Sequence, residues 1–530
     1  MKILTAAQVG EVDRLTTERY RIPSILLMEN AGRSVADAIA EARPDFARQR
    51  IVILCGGGNN GGDGFVAARY LALRGASPTI VLLSDPANLR GDARTNWDIA
   101  VSMQLSARVL PTPAGARACL RKLPQPDIIV DALFGTGLSK PIGPGLKPVV
   151  EWINEAGSRA LVAAVDIPSG IYADSPAIAG PAVRADLTVT FSALKLAHVI
   201  PPAADRAGKV VLAQIGSPPE LYDNPEYRYN LIDAPQVRRV LPPRERAGHK
   251  GTYGHVHIVA GSRGKSGAAL MTGLAALRSG AGLATLWTPE SLRGDIAGRY
   301  PELMMEPLPE TADGTSDASG ADLILAAGSS IGSLVVGPGL GTHPSTGELV
   351  RELVRRAPAP VVVDADGIRA FAPASSPPNN RGKHPVVLTP HPGEMAQAAG
   401  TEVSAVQSQR LETACRWART WHCYVVLKGF QTVVATPAGD AYINRTGNPG
   451  MATGGTGDVL AGMVGRFMAA WNRTGGHAAR VKPDDFICAA VYLHGLAGDL
   501  AAEGGDEESL VATDLFDRLP EAFRRLRTVP

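Results

Sequence analysis

The chain has 530 residues, of which 45% are hydrophobic, so it is long enough for about three ordinary domains or for two large α/β domains. Its 53 Lys and Arg residues are balanced by 51 Asp and Glu residues, which gives a formal net charge of +2. This balance argues against the broad basic surface of a nucleic-acid-binding protein, and the hydrophobic share argues against a disordered chain.

The cysteines and the N-terminal segment predict a cytoplasmic protein. The cysteines are scattered along the chain without a CxxC pair, which is typical of free thiols in a reducing compartment. The segment MKILTAAQVGEVDRL combines helical apolar spacing with internal charges and therefore differs from a signal peptide. No apolar run approaches the ~20 residues of a membrane span. We therefore expect neither nucleic acid nor a membrane as a partner, and the residues leave a homo-oligomer open.

Short apolar runs followed by helical patterns predict an α/β fold built on parallel strands. In the first half of the chain these runs are Ile51–Cys55, Thr79–Leu83, Ile128–Val130, Leu161–Val165 and Leu187–Phe191. In the second half they are Val256–Ala260, Ala284–Trp287, Val335–Val336, Val361–Val363, Val386–Leu388 and Tyr424–Leu427. The polar, proline-broken segment Ile215–Pro235 lies between the two sets. We therefore predict a first domain at 1–220, a linker at 221–235 and a second domain at 236–530.

Two segments of the second half lack the periodicity of a core element. They are Glu310–Ser330, rich in Ala, Ser, Gly and Asp, and Ala372–His384, which contains SSPPNNRGK. We expect both to be surface loops.

A glycine-rich run follows the first predicted strand. GGGNNGGDG (Gly56–Gly64) comes directly after Cys55 and precedes the helical pattern FVAARYLALRG. A strand, a glycine turn and a helix in this order form a phosphate or nucleotide cradle at the carboxyl edge of a parallel sheet. The run matches neither GxGxxG nor a Walker A sequence, so a plain tight turn is the alternative interpretation.

Two later strand ends carry oxygen-bearing side chains toward the same edge. Asp131 begins DALFGTGLSKP and Asp166 begins DIPSG, each just after an apolar run. Because the carboxyl ends of parallel strands meet at one edge, we expect both to form a site with the glycine run. Asn60, Asp131 and Ser169 would supply oxygen donors suited to an alkali or alkaline-earth cation. Each of the three alone would more simply be a turn residue or a helix cap.

The motifs LMENAGRSVA (Leu27–Ala36), GGGNNGGDG, DALFGTGLSKP and DIPSG together resemble the NAD(P)H-hydrate epimerase domain over roughly residues 1–215. The resemblance implies a Rossmann-like three-layer α/β/α domain that interconverts the R and S epimers of hydrated NADH or NADPH. It implies contacts with the damaged nucleotide at Asn59, Asn60, Gly61, Gly62, Asp63, Gly135, Thr136, Gly137, Leu138, Ser139, Lys140, Pro141 and Asp166. It also implies a potassium ion (K+) at Asn60, Asp131 and Ser169.

The chemistry of the implied substrate suits a carboxylate. The C6 hydroxyl is next to the ring nitrogen, so it can be lost and regained with acid–base help alone. We therefore predict Asp166 as catalytic, and the sequence leaves hydroxide loss and ring opening both open. Related sequences often have a lysine where this chain has Lys195, for which a solvated side chain is the alternative interpretation.

A second glycine-rich stretch, GNPGMATGGTGDVLAG (Gly447–Gly462), places an acidic residue at the start of a helix. Unpaired amides at such a helix start bind phosphate oxygens, and glycine lets a ligand approach the backbone. Asp458 would then lie beside a phosphoryl group, where a carboxylate can take a proton from an attacking hydroxyl. We therefore predict a kinase-like site with Asp458 as its base. A glycine-rich helix entry with a capping Asp is the alternative.

Four further motifs complete the series: GPGLG (Gly337–Gly341), VVVDADGI (Val361–Ile368), LTPHPGE (Leu388–Glu394) and LKGFQTVVA (Leu427–Ala435). With the second glycine-rich stretch they resemble the ADP- or ATP-dependent NAD(P)H-hydrate dehydratase domain, a ribokinase-like α/β fold, from about residue 236 to the end. The resemblance implies nucleotide contacts at Lys428, Gly429, Phe430, Gln431, Thr432 and Gly457. It implies contacts with the hydrated cofactor at Ala269, Gly339, His391 and Asp458. It favours ADP, with Mg2+, as the phosphoryl donor, although the residues alone do not exclude ATP.

The two halves together predict a bifunctional metabolite-repair enzyme, an isomerase joined to a lyase. The first domain would supply the S epimer that the second consumes. The alternative is a vitamin-precursor kinase of the hydroxymethylpyrimidine or thiazole type, fused to a nucleotide-sensing or partner-binding module. That alternative leaves the first-half motifs unexplained. The preference between hydrated NADH and hydrated NADPH, and any transfer of substrate between the sites, are open.

Overall fold

The computed structural model describes residues 1–110, 112, 115–372, 378, 384–475 and 481–528. The chain forms two compact units, Lys2–Tyr227 and Arg228–Pro530, with Met1 belonging to the second. The division lies within the predicted linker 221–235, but that segment carries the strand Tyr229–Leu231 and the start of a helix at Ala234. The exact domain boundaries therefore stay a prediction.

The first unit is a parallel sheet covered by helices. The strands of this sheet are β2 (Ile51–Cys55), β3 (Thr79–Leu82), β4 (Ser106–Val109), β5 (Ile128–Ala132), β6 (Leu161–Val165), β7 (Leu187–Phe191) and β8 (Lys209–Ala213), and the two-residue strand β1 (Lys2–Ile3) is not part of it. Its helices are α1 (Ala6–Tyr20), α2 (Ser24–Ala42), α3 (Asn59–Leu73), α4 (Gly91–Ser102), α5 (Ala116–Arg121) and α6 (Lys147–Ala156). The sheet has the order β4-β3-β2-β5-β6-β7-β8, and all neighbouring strands are parallel.

Side chains of the central strands alternate between the two faces of the sheet, and each face packs against its own helices. Ile51 and Ile53 of β2 pack with α2, α3 and α4, whereas Val52 and Leu54 pack with α5 and α6. Every residue of β2 is buried, which explains its continuous apolar run. The arrangement confirms the predicted three-layer α/β/α domain.

Two local features differ from the prediction. The edge strand β4 escapes prediction because all its residues are exposed and it has no apolar run. Helix α3 begins at Asn59, inside the first glycine-rich run, rather than after it. The glycines within the helix are explained by close packing. A Cβ at Gly61 would lie 2.0 Å from the Gly56 carbonyl oxygen, and a Cβ at Gly62 would lie 2.7 Å from the Met28 side chain.

The second unit is a larger mixed sheet with helices on both faces. Its strands are β9 (Tyr229–Leu231), β10 (His255–Val259), β11 (Leu283–Pro289), β12 (Met304–Leu308), β13 (Ser333–Val336), β14 (Val361–Val363), β15 (Val386–Leu388), β16 (Tyr424–Leu427), β17 (Val433–Ala435) and β18 (Ala441–Ile443). Its helices are α7 (Ala234–Arg239), α8 (Ser266–Arg278), α9 (Arg293–Ile296), α10 (Ala321–Leu325), α11 (Pro344–Arg356), α12 (Asp366–Arg369), α13 (Pro392–Ala399), α14 (Val403–Ser408), α15 (Arg410–Trp421), α16 (Thr456–Arg473), α17 (Pro483–Glu503) and α18 (Asp514–Thr528).

The strand order in this unit is β9-β18-β17-β16-β15-β14-β13-β10-β11-β12. Neighbours are parallel except where β17 pairs with β16 and with β18. The motifs that follow β13, β14, β15 and β16 therefore lie at one carboxyl edge. Two α/β domains with mainly parallel sheets are confirmed as the fold class.

Helix α17 corrects one expectation from the sequence. It has 21 residues, and by length and composition it could cross a membrane. However, most of it is buried, and Phe486, Ile487 and Leu493 belong to the hydrophobic core of the second unit. The same residue pattern is that of a core helix packed on α16 and α18.

The two segments predicted as loops have different outcomes. Glu310–Ser330 is not a plain loop, because it contains helix α10, in which Ala321 and Ile324 are buried. Most of Ala372–His384 lies outside the described residues.

Candidate active sites

In the first unit the carboxyl ends of β2, β5, β6 and β7 surround a cavity of about 700 Å³. Asp166 follows β6 directly, and the first glycine-rich run follows β2. Both line the cavity, as expected for side chains at the carboxyl edge of neighbouring parallel strands.

Asp166 is held in place by a buried lysine. Lys195 is fully buried, and its Nζ donates to Asp166 Oδ1 at 2.6 Å and to Thr190 Oγ1 at 2.9 Å. Thr190 Oγ1 also donates to Asp166 Oδ1 at 2.9 Å. The alternative of a solvated Lys195 is therefore wrong.

Electrostatics keep Asp166 ionised. Burial works to raise the pKa of Asp166, but the charge of Lys195 and the hydrogen bonds from Lys195 and Thr190 outweigh it, so the pKa is lowered. His198 Nε2 lies 2.9 Å from the Asp166 carbonyl oxygen, and the Asp166 backbone has a φ of 63°. A left-handed conformation in a residue other than glycine is strained, and such strain clusters at functional sites.

The predicted cation ligands lie beside this cavity. Asp131 is fully buried: its Oδ1 accepts from Ser169 Oγ at 2.6 Å and its Oδ2 from the Ser169 amide at 2.8 Å. Burial raises the pKa of Asp131 to about 6 against the hydrogen bonds from Ser169 and Leu133. Phe134, which lines the cavity, donates its amide to Ser169 Oγ at 3.0 Å.

Asn60 reaches the same backbone segment from helix α3. Its Oδ1 lies 2.7 Å from where a Cβ of Gly135 would stand. Its Nδ2 is buried and has no hydrogen-bond partner among the described residues. A buried polar atom without a partner points to a ligand or an ordered water at this position.

The structure brings most of the predicted epimerase contacts together. Those that line the cavity are Asn59, Asn60, Asp63, Gly135, Thr136, Gly137, Leu138 and Asp166. Five others do not line it: Gly61, Gly62, Ser139, Lys140 and Pro141. Gly61 and Gly62 instead provide the close approach of α3 described above. The sequence analysis missed Asp13 and Thr17 of α1, which also line the cavity and have no motif to mark them.

In the second unit the start of α16 opens onto a cavity of about 540 Å³. All six predicted nucleotide contacts line it: Lys428, Gly429, Phe430, Gln431, Thr432 and Gly457. Helix α16 begins at Thr456 after Gly455, and it has no side-chain N-cap hydrogen bond. The amides of its first turn are therefore available to an anionic ligand.

Lys428 is surrounded by carboxylates at the mouth of this cavity. Its Nζ lies 2.7 Å from Asp364 Oδ1 and 3.8 Å from Glu394 Oε2. Burial works to lower the pKa of Lys428, but the charges of Asp364, Glu394 and Asp458 outweigh it, and the pKa is raised. Lys428 therefore stays charged, lines the 540 Å³ cavity and interacts with Asp458.

Asp458 has the electrostatics of a base that works near neutral pH. Burial and the charge of Asp364 raise the pKa of Asp458 to about 7, and Lys428 opposes the shift. A carboxyl group with its pKa near the working pH is suited to proton transfer. The charge of Asp366 also raises the pKa of Asp458. Asp366 itself accepts hydrogen bonds from Lys265 Nζ at 3.0 Å and from the Gly341 amide at 2.9 Å.

The predicted contacts with the hydrated cofactor are less concentrated. Gly339 has a φ of 63°, and its carbonyl oxygen accepts a hydrogen bond from Ser262 Oγ at 2.7 Å. It therefore lies beside the loop that carries Ser262 and Lys265. His391 caps helix α13, where its Nδ1 accepts from the Gly393 amide at 2.9 Å. Ala269 lies in the second turn of α8 and is fully buried. None of these three residues lines the 540 Å³ cavity, and neither does the fourth predicted contact, Asp458, although its chain neighbour Gly457 does.

His494 of α17 is a cavity residue that the sequence analysis missed. Burial lowers its pKa to about 4, so its ring is neutral and donates from Nε2 to the Thr456 carbonyl oxygen at 2.9 Å. This hydrogen bond therefore fixes the first residue of α16 against helix α17. A histidine within an apolar helix gives no signal for this role.

Comparisons with known proteins match both halves of the chain. Residues 24–197 match the family described as YjeF-related protein N-terminus, and residues 256–521 match the family described as NAD(P)H-hydrate dehydratase. The bifunctional NAD(P)H-hydrate repair enzyme of Moorella thermoacetica is 42% identical, over 99% of this chain and 97% of the relative. The enzyme of the same description from Escherichia coli is 34% identical, over 93% of this chain and 88% of the relative.

Among solved structures, the ADP/ATP-dependent NAD(P)H-hydrate dehydratase from Bacillus subtilis, co-crystallised with ATP/Mg2+, is 34% identical. The match covers 56% of this chain and 98% of that chain, with a TM-score of 0.47. The family resemblance read from the motifs is confirmed by the full-length relatives. The chain belongs to the family of bifunctional NAD(P)H-hydrate repair enzymes.

Proposed function

We propose that this chain repairs hydrated nicotinamide cofactors in two steps. The first domain interconverts the R and S epimers at C6, and the second converts the S epimer to NADH or NADPH with a nucleotide as phosphoryl donor. The observation that carries the proposal is the second site, where all six predicted nucleotide contacts line one cavity and Asp458, next in the chain to Gly457, has a pKa of about 7.

In the first domain Asp166 is the residue that faces the reacting ring. Lys195 keeps it ionised, so it can accept a proton or stabilise positive charge that develops on the ring when the C6 oxygen leaves. Gly135–Leu138 and Asn59 line the same cavity and would position the rest of the nucleotide.

A potassium ion fits the residues beside this cavity. Asp131 offers a buried carboxylate, Ser169 a hydroxyl and Asn60 an amide oxygen, a set of oxygen donors that alkali cations accept. These three residues would hold the ion. When bound, it would offset the buried charge of Asp131 and fix the Phe134–Gly135 backbone that lines the substrate cavity.

In the second domain the chemistry is phosphoryl transfer followed by elimination. Asp458 takes the proton of the C6 hydroxyl as the phosphoryl group moves to that oxygen. The first-turn amides of α16 and Lys428 stabilise the charge on the transferring group. Phosphate is a better leaving group than hydroxide, so its elimination restores the dihydronicotinamide ring.

ADP is the proposed donor, with Mg2+ bound to its phosphates. No cluster of three or more His, Cys, Asp or Glu side chains suited to a metal occurs among the residues placed by the structure. Mg2+ is commonly held by phosphate oxygens and water with few protein ligands, so the phosphates of the donor would hold it.

Two further points are proposed on indirect support. A cytoplasmic location is supported by free cysteines throughout the chain, since Cys55, Cys119, Cys415, Cys423 and Cys488 form no disulfide. The vitamin-precursor kinase alternative is not favoured, because full-length relatives share both domains.

One experiment tests the proposed function. The purified chain is incubated with a mixture of both hydrated epimers, with and without ADP, and the absorbance of the dihydronicotinamide is followed. We expect complete conversion of both epimers with ADP, and none without a nucleotide. Conversion of the S epimer alone would remove the epimerase assignment, and conversion without nucleotide cleavage would remove the kinase-like mechanism.

A further inference from the structure

The cavity of the first domain contains more acidic side chains than a mechanism based on Asp166 uses. Asp13, Asp63 and Asp166 all line it, together with the ammonium group of Lys195. Lys195 is committed to Asp166 through the 2.6 Å ion pair. The neighbouring cation Arg14 pairs with Glu11 and Glu18 on the outer face of helix α1. Asp92 and Arg14 also line the cavity, so four acidic side chains share it with two cations, of which only Lys195 is paired with a cavity acid.

Asp13 stands out among these acids because one of its oxygens has no partner. Its Oδ1 is buried and makes no hydrogen bond within the described part of the chain. Leaving a buried carboxylate oxygen unpaired is unfavourable, so such a position is usually filled by a proton, water or a ligand group. The Asp13 backbone is firmly held, since α1 begins with a capping box between Thr5 and Gln8.

The charged and titratable groups that face Asp13 are Lys195, Asp63, Asp166 and Tyr222. Burial raises the pKa of Asp13 to about 6; Lys195 opposes this shift and Asp166 adds to it. The pKa of Asp166 moves in the opposite direction. Two carboxyl groups in one cavity are therefore separated into one that stays ionised and one that can carry a proton near neutral pH.

This separation matters for the reaction. Loss of the C6 hydroxyl needs a proton donor at the leaving oxygen, and Asp166 cannot serve because Lys195 holds it as a carboxylate. A second group must therefore supply the proton.

We propose that Asp13 is this second catalytic residue, the general acid–base group that acts on the C6 oxygen of the hydrated nicotinamide. The proposal rests on the epimerase function proposed above. The Asp13 carboxyl group gives its proton to the C6 hydroxyl, the C6–O bond breaks with its electron pair going to oxygen, and water leaves. The ring-nitrogen lone pair forms a C6–N double bond, and the ionised Asp166 stabilises the resulting cation. Water then adds to either face while the Asp13 carboxylate takes back one of its protons.

Asp63 is the competing candidate for the same role. Burial and the charges of Asp166 and Asp13 raise its pKa well above the usual range, so it also carries a proton. Unlike Asp13, it has no oxygen among the unpartnered buried atoms, and its motif is expected to contact the substrate. The test therefore includes Asp63→Asn.

The test uses the full-length chain and follows the R to S ratio by chromatography, starting from the R epimer. We expect Asp13→Asn to slow interconversion on the order of 100-fold at pH 7, while Asp13→Glu retains much of the rate. Glu11→Gln, on the exposed face of the same helix, is the matched control and should not change the rate. Dehydration of the purified S epimer, a reaction of the other domain, should be unchanged in every variant.

A pH profile separates catalysis from a structural effect. The wild-type rate should fall as the pH rises above about 6, because Asp13 loses its proton there, and Asp13→Asn should lack this decline. Asp13→Asn with a rate within twofold of wild type and an unchanged profile would overturn the inference. If only Asp63→Asn lacks the fall in rate above about pH 6, the general acid is Asp63 and not Asp13. If the wild-type chain does not interconvert the epimers, the proposed function itself fails, and with it this inference.

Discussion

The buried pair of Lys195 and Asp166 gives the sharpest quantitative test of the first domain. Replacing Lys195 by methionine keeps a side chain of similar length and removes the ammonium group. It leaves Asp166 without the donor at 2.6 Å, in a position where Lys195 is fully buried and the Asp166 side chain is only 11% exposed. The variant therefore isolates the effect of one buried charge.

The expected loss in the free energy of unfolding is roughly 3–5 kcal/mol, the usual result of removing one partner of a buried ion pair. Because the Asp166 side chain retains some contact with the cavity, we expect the lower end, about 3 kcal/mol. In the variant the pKa of Asp166 should rise, because the ammonium group that favours its carboxylate is gone and burial remains. Above pH 4, protonation of Asp166 is therefore the way in which the variant can reduce its loss in the free energy of unfolding.

The pH dependence has a definite sign. The pKa of Asp166 is lowered in the folded protein, so its pair with Lys195 contributes stability above the unfolded-state pKa of about 4. That contribution disappears as the pH falls through the lower folded-state pKa. The difference between wild type and Lys195→Met should therefore be largest near neutral pH and shrink in acid.

Hydrogen exchange in peptides from β6 and β7 measures this loss within the first domain alone. Lys209→Met is the matched control, because Lys209 is 70% exposed and lies 3.5 Å from Glu41, and such surface pairs contribute about 0–1 kcal/mol. Lys195→Met/Asp166→Asn, which removes both charges, should recover much of the stability. The reasoning is refuted if Lys195→Met costs no more than Lys209→Met at pH 7.

Three other predictions concern ligands and chemistry. Asp458→Asn should still bind nucleotide, but its dehydration rate should fall by on the order of 10²-fold or more. The wild-type rate should rise with pH through about 7, as Asp458 loses its proton. Full activity in the variant would exclude Asp458 as the base. Gly457→Val should raise the KM for ADP at least about tenfold, because the branched side chain of valine would enter the cavity. The added Cβ would lie 3.2 Å from Lys428 Nζ. Unchanged ADP binding in calorimetry would contradict this placement. Asp131→Ala should slow epimerisation in a way that added K+ partly restores, and equal rates in K+, Na+ and neither would mean that the oxygen cluster is only structural.

The sequence by itself determined the α/β class and the sheet edges at which both candidate sites lie. Strands such as β2 and β6 are buried on both faces, so they appear as unbroken apolar runs, and the residues that follow them are at the carboxyl edge. Local motifs also sufficed to predict residues that share the second unit's cavity, because Lys428–Thr432 is one continuous segment and Gly457 lies in the glycine-rich helix start.

Only the tertiary structure decided which side chains meet. Asp13, Asp166 and Lys195 come from a helix and two different strand ends, and no spacing in the chain predicts their common cavity. Lys195 has the sequence context of an ordinary polar residue, and its complete burial depends on packing around β7. The glycines of the first glycine-rich run were equally ambiguous: contacts with Gly56 and Met28 show that Gly61 and Gly62 allow helix α3 to approach its neighbours. Motifs report local backbone needs, whereas burial and charge pairing arise only when distant segments pack together.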